Sequence, residues 1–170
     1  VRAHLAISRT VAMRSSYFPS SCHVEVIHPP SGLDNFRCEK PEYLFTASRI
    51  DAPKRIGLLI EAMKYVPFKV LLKIAGTGSE FDRLCDLAES DNRIELIGHV
   101  SDEELLHHYA RAIAVPFVPR DEDLGLITLE AMRSAKPIVT TTASCRPSGL
   151  HFAGPSARMV ESLTSRKRRG

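Results

Sequence analysis

The sequence lacks the features of a membrane, secreted or zinc-binding protein. No apolar run approaches the roughly 20 residues that span a bilayer, and no signal peptide is recognisable because the first apolar stretch is short and interrupted. The four cysteines show no short pair spacing, which indicates neither a disulfide framework nor a zinc site; they are Cys22, Cys38, Cys85 and Cys145. We therefore expect a cytoplasmic protein with at most peripheral membrane contact.

A strong charge of either sign is also missing. The formal net charge is +3, and most of the excess lies in the tail Arg166-Lys167-Arg168-Arg169. Proteins that bind nucleic acid usually spread Lys and Arg over a face of the fold, so nucleic acid is not an expected partner. The length of 170 residues, 44% of them hydrophobic, allows one core of ordinary domain size.

What is present from residue 43 onward is an alternation of short β-branched or apolar runs with longer stretches of helical period. This alternation is typical of repeated βαβ units around a parallel sheet. It predicts a Rossmann-like α/β fold with helices on both faces of the sheet. The predicted strands are residues 43–47, 70–75, 94–97, 113–118 and 137–141. Ser101 and Glu104 form a predicted capping box, and Ser79 is the predicted cap of an earlier helix.

The two ends differ from this middle part. The first fifteen residues contain Arg but no acid, a composition also found in transit peptides, and we interpret them as the end of a preceding helix. A strand at 24–27 leads into a connection at 28–32 that is rich in proline and glycine. We place one domain at residues 31–143, with a remnant of an earlier domain and a linker at 1–30.

The loops after the predicted strands carry the candidate functional residues, because ligands bind at the carboxyl ends of strands in an open parallel sheet. Arg49 and Lys54 lie in the first loop and together suit a diphosphate, although two solvated loop cations are the simpler interpretation of this pair alone. Gly76 and Gly78 precede a helix, where they fit either a phosphate cradle or a bare turn. The dinucleotide fingerprint is incomplete here.

Two glutamates stand in and after the fourth loop. Glu122 lies in the loop, and Glu130 lies within the otherwise apolar helical stretch of the segment EDLGLITLEAM. An unpaired buried carboxylate costs several kcal/mol, so Glu130 needs hydroxyl or cationic partners. The alternative is a partly exposed Glu130 paired with Arg133 or Lys136.

The segments RIDAPK, AGTGSE, LIGHVSDEELLHHYA and EDLGLITLEAMRSAKPIV, in this order and with these gaps, resemble the C-terminal, nucleotide-sugar-binding domain of GT-B glycosyltransferases of family 4 (group 1). The resemblance covers about residues 43 to 142. The stretches ISRTVAMRS and VEVIHPP resemble the last helix of that family's N-terminal domain and the crossing between the domains.

The resemblance implies a retaining hexosyltransferase that needs no metal or other cofactor. Its donor would be a nucleoside diphosphate sugar, GDP-mannose or a UDP-sugar, and its acceptor a glycan or lipid-linked molecule, as in polysaccharide biosynthesis. Arg49 and Lys54 would hold the diphosphate, Glu122 the sugar hydroxyls and Glu130 the ribose. The further positions assigned to donor binding are Gly76, Gly78, His99, Val100, Gly125 and Leu126, and the backbone at 99–100 would face the base.

The sequence departs from the family pattern in three ways. Glu122-Asp123-Leu124-Gly125 stands where the family usually has glycine and an aromatic residue, and Ser144-Cys145-Arg146-Pro147 replaces a Gly-Gly loop. The N-terminal domain, which supplies the acceptor site, is also missing, so we expect this chain alone to be inactive.

The irregular segment at 144–170 is interpreted as the product of a shifted reading frame, against the alternative of a genuine short tail. Translating the DNA in its other two frames tests this, since the frameshift requires a Gly-rich turn and helical periodicity in one of them.

Four other functions stay open. A disrupted, non-catalytic remnant of a glycosyltransferase is the first, and a nucleotide-sugar epimerase of the same architecture is the second. A Rossmann-like cofactor-binding module is the third. In the fourth, the acid-x-acid triplet Asp121-Glu122-Asp123 binds a divalent metal as in the other major glycosyltransferase fold, but Arg49 and Lys54 already supply the positive charge that this metal would provide.

Overall fold

The computed structural model describes residues 3–141. In chain order its elements are β1 (His4–Ala6), α1 (Arg9–Ala12), β2 (Val24–Val26), β3 (Tyr43–Ala47), a 3-10 turn (Ala52–Lys54), α2 (Ile56–Met63), β4 (Leu72–Ala75), α3 (Phe81–Ala88), β5 (Ile94–Gly98), α4 (Asp102–Arg111), β6 (Ala112–Pro116), α5 (Leu126–Arg133) and β7 (Ile138–Val139). Within these residues no helix has the length and apolar character required to cross a bilayer.

The main sheet has five parallel strands in the order β5-β4-β3-β6-β7. From β3 the chain adds β4 and β5 on one side, then returns and adds β6 and β7 on the other. The order of strands therefore reverses between β3 and β6. In sheets of this kind, the crevice outside the carboxyl ends of the two strands at the reversal is the usual ligand site.

Helices cover both faces of the sheet, as predicted. Alternate strand residues point to opposite faces, so each strand contributes to two cores. On one face Leu72 and Ile74 of β4 pack with Ile60 of α2 and Leu84 of α3. The second core combines residues of the sheet, α4 and α5, namely Tyr43, Phe45, Ala75, Tyr109, Ala112, Val115, Phe117, Ile127 and Ala131.

One of the two predicted helix caps is confirmed. The Ser101 hydroxyl accepts from the Glu104 amide, and the Glu104 carboxylate accepts from the Ser101 amide, so α4 starts in a capping box. The prediction of Ser79 as the cap of α3 is wrong. Glu80 is the N-cap residue, and Ser79 is turned away because its amide and hydroxyl both donate to Asp51 of the preceding loop.

In the N-terminal segment, residues 3–30, the helical end predicted over the first fifteen residues is not one helix, whereas the strand predicted at 24–27 is β2. The segment contains the strand β1, which pairs in parallel with β2 from His4↔Val24 to Ala6↔Val26. The four-residue helix α1 follows and is capped by the Ser8 hydroxyl, which accepts from the Val11 amide at 3.1 Å. Pairing with β2 satisfies the backbone of residues 4–6, which explains why the helical prediction is wrong there.

The boundaries of the predicted strands shift by a few residues. The predicted strand at 137–141 is the two-residue β7, and the one at 113–118 starts at Ala112 directly after α4. The segment at 144–170, with the frameshift prediction attached to it, lies outside the described residues.

Candidate functional site

The loops at the carboxyl edge of the sheet are joined by hydrogen bonds into one rim. The loop after β3 contacts the loop after β4, and the loop after β4 contacts the end of β5. The loop after β6 in turn reaches the 3-10 turn that follows β3. The backbone bonds are Ile50 N to Thr77 O at 2.9 Å, Gly76 N to Gly98 O at 2.7 Å and Arg120 N to Pro53 O at 2.8 Å. The predicted rim is thus one connected surface.

Lys54 and Glu122 meet at the reversal point of the sheet. Lys54 follows β3, Glu122 follows β6, and Lys54 Nζ lies 2.6 Å from Glu122 Oε2. Their side chains are 22% and 19% exposed, so the pair is half-buried and still reachable from solvent. Two residues that were predicted for the site from separate loops of the sequence are therefore in direct contact.

Arg49, the other predicted cation of this rim, is much more exposed than Lys54. Its side chain is 80% exposed, and within residues 3–141 its one ion-pair partner is Asp51, with 3.5 Å between Nη1 and Oδ2. Asp51 is more constrained, because the Ser79 amide and hydroxyl both donate to it, and these bonds hold the pKa of its carboxyl below the usual value. Sequence reasoning did not select Asp51, although it lies between the two predicted cations.

The two glycines at 76 and 78 are required by the protein itself. A Cβ on Gly76, whose φ is +125°, would lie 1.8 Å from the Ser48 carbonyl oxygen, and one on Gly78 would lie 2.4 Å from that of Ile50. Their lack of a side chain therefore lets two loops of the rim pack backbone to backbone. This geometry favours the turn interpretation over the cradle, and their role in donor binding stays a prediction.

The acidic triplet at 121–123 is held by cations of the chain. Glu122 is paired with Lys54, and the Asp123 carboxylate is ion-paired with Arg14. Residues 3–141 contain no group of three or more histidine, cysteine or carboxylate side chains arranged to hold a metal ion. After the triplet, Gly125 adopts a φ of +71° next to the Phe117 ring and starts α5.

Glu130 has a hydroxyl partner, one of the two kinds predicted. The fully buried Tyr109 donates from its hydroxyl to Glu130 Oε2 at 2.7 Å. Burial, and secondarily the Glu130 charge, raise the pKa of Tyr109 far above its usual value. The alternative partners are engaged elsewhere: Arg133 bonds to Leu33 and Asp34, and Lys136 to the Glu39 carbonyl. Among residues 3–141 the second carboxylate oxygen of Glu130 has no hydrogen-bond partner.

The remaining predicted residues lie on the same rim. His99 is exposed, Val100 is partly buried against the second core, and Leu126 at the start of α5 is 40% exposed. The rim therefore offers two cations, hydroxyl and backbone donors, and carboxylates that can accept from hydroxyl groups. This combination suits a ligand with both phosphate and sugar groups.

Solved glycosyltransferases share this fold. The pneumococcal O-GlcNAc transferase GtfA, in complex with UDP and GlcNAc, has a TM-score of 0.63 at 23% identity over 82% of this chain and 30% of its own. TarM of S. aureus gives 0.69 at 22% identity over 86% and 31%. HepE of Anabaena, in complex with UDP and glucose, gives 0.64 at 21% identity over 84% and 45%. The fold is that of GT-B glycosyltransferases.

The family model "Glycosyl transferases group 1" matches residues 34–149, so the chain belongs to the group 1 glycosyltransferases. An uncharacterized glycosyltransferase of Methanocaldococcus jannaschii is 27% identical over 90 residues, which are 52% of this chain and 25% of that relative. The chain thus spans about a quarter of this curated relative and less than half of each of the three solved structures.

Proposed function

We propose that the rim binds the donor of a retaining hexosyltransferase, a nucleoside diphosphate sugar, and that the chain is the donor-binding domain of that enzyme. The observation that carries the proposal is the contact between Lys54 and Glu122 across the reversal between β3 and β6. It brings a cation for phosphate and a carboxylate for sugar hydroxyls to the position where this kind of sheet binds ligands.

The cations supply the chemistry of the leaving group. When the bond between sugar and phosphate breaks, negative charge grows on the departing diphosphate. Cations already placed beside the phosphate stabilise that charge without reorganising in the transition state. Lys54 is half-buried and fixed, whereas Arg49 is exposed and can fold over the phosphate as a planar fork.

The carboxylates bind the neutral parts of the donor. Glu122 accepts from the sugar hydroxyls next to the diphosphate. Glu130, oriented by Tyr109, offers its second oxygen to the ribose hydroxyls. The backbone at His99 and Val100 directly follows β5. In this proposal it would face the base.

A UDP-sugar or GDP-mannose is the proposed donor. The structures of GtfA and HepE contain UDP, which supports the first of these. A glycan or a lipid-linked molecule is the proposed acceptor, and it would be held against the donor by an N-terminal domain. The enzyme as a whole would act in polysaccharide biosynthesis in the cytoplasm.

Hydrogen exchange of the 170-residue chain tests the site. We expect UDP-glucose or GDP-mannose to slow exchange at the amides of residues 48–55, 76–80, 98–101 and 120–125, and to leave α3 unchanged as an internal control. Protection in a different region would contradict the proposed site. Absence of protection with every donor would favour the non-catalytic remnant.

A further inference from the structure

Arg14 of the N-terminal segment reaches across the fold to the loop that carries Glu122. Its guanidinium Nη2 donates to the backbone carbonyl of Asp121 at 3.1 Å and forms an ion pair with the Asp123 carboxylate. The two partners lie 107 and 109 residues further along the chain. The side chains of Arg14 and Asp123 are 32% and 38% exposed, so the contact is half-buried.

These two contacts flank Glu122 on both sides along the chain. Because one guanidinium holds residue 121 by its backbone and residue 123 by its side chain, the backbone of residue 122 is fixed between them. From the other direction, Lys54 holds the carboxylate of Glu122. Asp121 also adopts a φ of +51°, which is uncommon for a residue other than glycine and is retained where surrounding contacts impose it.

The contact between Arg14 and the loop at 120–125 differs from an ordinary surface ion pair, because Arg14 is also held by its own neighbours. Exposed pairs contribute little to stability, largely because two long side chains must be ordered. Here Arg14 lies two residues after the end of the capped helix α1, and its guanidinium lies 5.5 Å from the centre of the Tyr17 ring. Contacts within the N-terminal segment therefore help to position the Arg14 guanidinium independently of its contacts with residues 121 and 123.

We propose that Arg14 is a positioning residue for Glu122. Through Arg14, the N-terminal segment at 3–30 sets the affinity of the loop at 120–125 for the sugar part of the donor. The proposal rests on the proposed function, in which Glu122 binds the sugar. The diphosphate is held by Lys54 and Arg49, which Arg14 does not contact. Loss of Arg14 therefore weakens the sugar contribution and does not weaken the diphosphate contribution.

Arg14→Ala and Arg14→Lys in the full chain separate these contributions. Calorimetry compares the affinity for UDP-glucose with that for UDP, and the affinity for GDP-mannose with that for GDP. We expect Arg14→Ala to reduce the preference for the sugar nucleotide over the diphosphate by about tenfold, because small displacements of a binding group weaken its contact strongly. Affinity for the free diphosphate should not fall, and should rise at most about two- to fivefold, because a displaced Glu122 competes less for Lys54. Arg14→Lys, which keeps a cation, should restore part of the preference.

Arg9→Ala is the matched control. Arg9 lies in α1, is exposed, and makes no ion pair with residues 3–141. A similar loss of preference in Arg9→Ala would show a general effect of the N-terminal segment and would overturn the specific role of Arg14. An unchanged preference in Arg14→Ala would overturn it as well.

The two contacts of Arg14 with Asp121 and Asp123, here called the clamp, can also be tested by hydrogen exchange of the free chain without any ligand. Amides of residues 120–125 should exchange faster in Arg14→Ala than in the wild-type chain, with partial recovery in Arg14→Lys. If the wild-type chain binds no nucleotide, the proposed function fails, while faster exchange at 120–125 still supports the clamp. Unchanged exchange overturns the clamp whatever the binding result.

Discussion

Lys54 is occupied before any donor arrives. Its ammonium lies 2.6 Å from Glu122, so a diphosphate must compete with this carboxylate for the cation. Glu122→Gln removes the competing charge and keeps the shape of the side chain. We predict that the affinity for UDP without a sugar rises about two- to fivefold, which corresponds to the 0.5 to 1 kcal/mol of a moderately exposed ion pair.

The sugar nucleotide should respond differently to the same substitution. Glu122→Gln loses a charged acceptor for the sugar hydroxyls, so the gain for UDP-glucose should be smaller than for UDP or reversed. Asp121→Asn is the control, because it removes a charge from the same loop without touching Lys54. An equal gain for UDP in both variants would mean a general electrostatic effect and no competition at Lys54.

At the scale of elements, Arg93 joins the end of α2 to the start of β5. Its guanidinium donates to the carbonyls of Met63, Val66 and Phe68 and is paired with Asp91 at 2.6 Å. The same contact lowers the pKa of Asp91 to about 2. We predict that Arg93→Ala lowers the free energy of unfolding by about 2 to 3 kcal/mol, since the carbonyls lose a charged donor.

Urea denaturation measures this change. Arg83→Ala is the matched control, because Arg83 pairs with Glu80 one turn away and is 60% exposed. Its loss should cost about 0.5 kcal/mol or less. Equal destabilisation by the two substitutions would contradict the role assigned to Arg93.

The packing of α4 on β3 should depend on pH through His108. Its ring stacks on Phe45 with 4.9 Å between centroids, and the Tyr43 hydroxyl lies 3.0 Å from its Nδ1. Burial, and secondarily Lys73 and His107, lower the pKa of His108 below its usual value. The unfolded chain therefore takes up the proton first as the pH falls, and stability present above about pH 6.5 is lost below it.

Replacement of His108 isolates this effect. We predict that His108→Gln reduces the slope of stability against pH between about pH 7 and 5, where histidine titrates. His107→Gln, at the exposed neighbouring position, should retain most of the slope, because burial is the main cause of the lowered pKa of His108. Denaturant midpoints across this range provide the measurement, and an unchanged slope in His108→Gln would contradict the assignment.

For the whole molecule, periodicity predicted the five main strands, the helices on both faces and the rim. The prediction succeeded because the helix of each βαβ unit buries one apolar stripe on the sheet, and because parallel strands bring their carboxyl ends to one edge. The contact between Lys54 and Glu122 follows from that topology. The first helix prediction failed because β1 is defined by its pairing with β2, which no local pattern reveals.

Two kinds of contact at the site could not be predicted from the sequence. Some join residues far apart in the chain, and others involve a residue whose type indicates a different role. Arg14 and Asp123 are 109 residues apart, and no local signal connects them. Tyr109 is an aromatic residue of α4 whose type indicates a place in the core, and only the fold shows that its hydroxyl reaches Glu130. For Gly76 and Gly78 the residue type indicated a close approach, but the partner proved to be protein backbone.

The central claim is that the rim at the reversal between β3 and β6 binds a diphosphate through the cations of the chain. Calorimetry with UDP and uridine, and with GDP and guanosine, in the presence of a chelator tests it most directly. Lys54→Ala is compared with Lys64→Ala, which removes an exposed lysine at the end of α2.

The account predicts that a diphosphate binds without added metal and more tightly than its nucleoside. Lys54→Ala should weaken diphosphate binding by about 1 to 3 kcal/mol, as expected for the loss of a charged hydrogen bond, and Lys64→Ala should leave it unchanged. Equal affinity for diphosphate and nucleoside would contradict the role of the cations. A strict requirement for a divalent metal would contradict it too and favour the metal site at the acidic triplet.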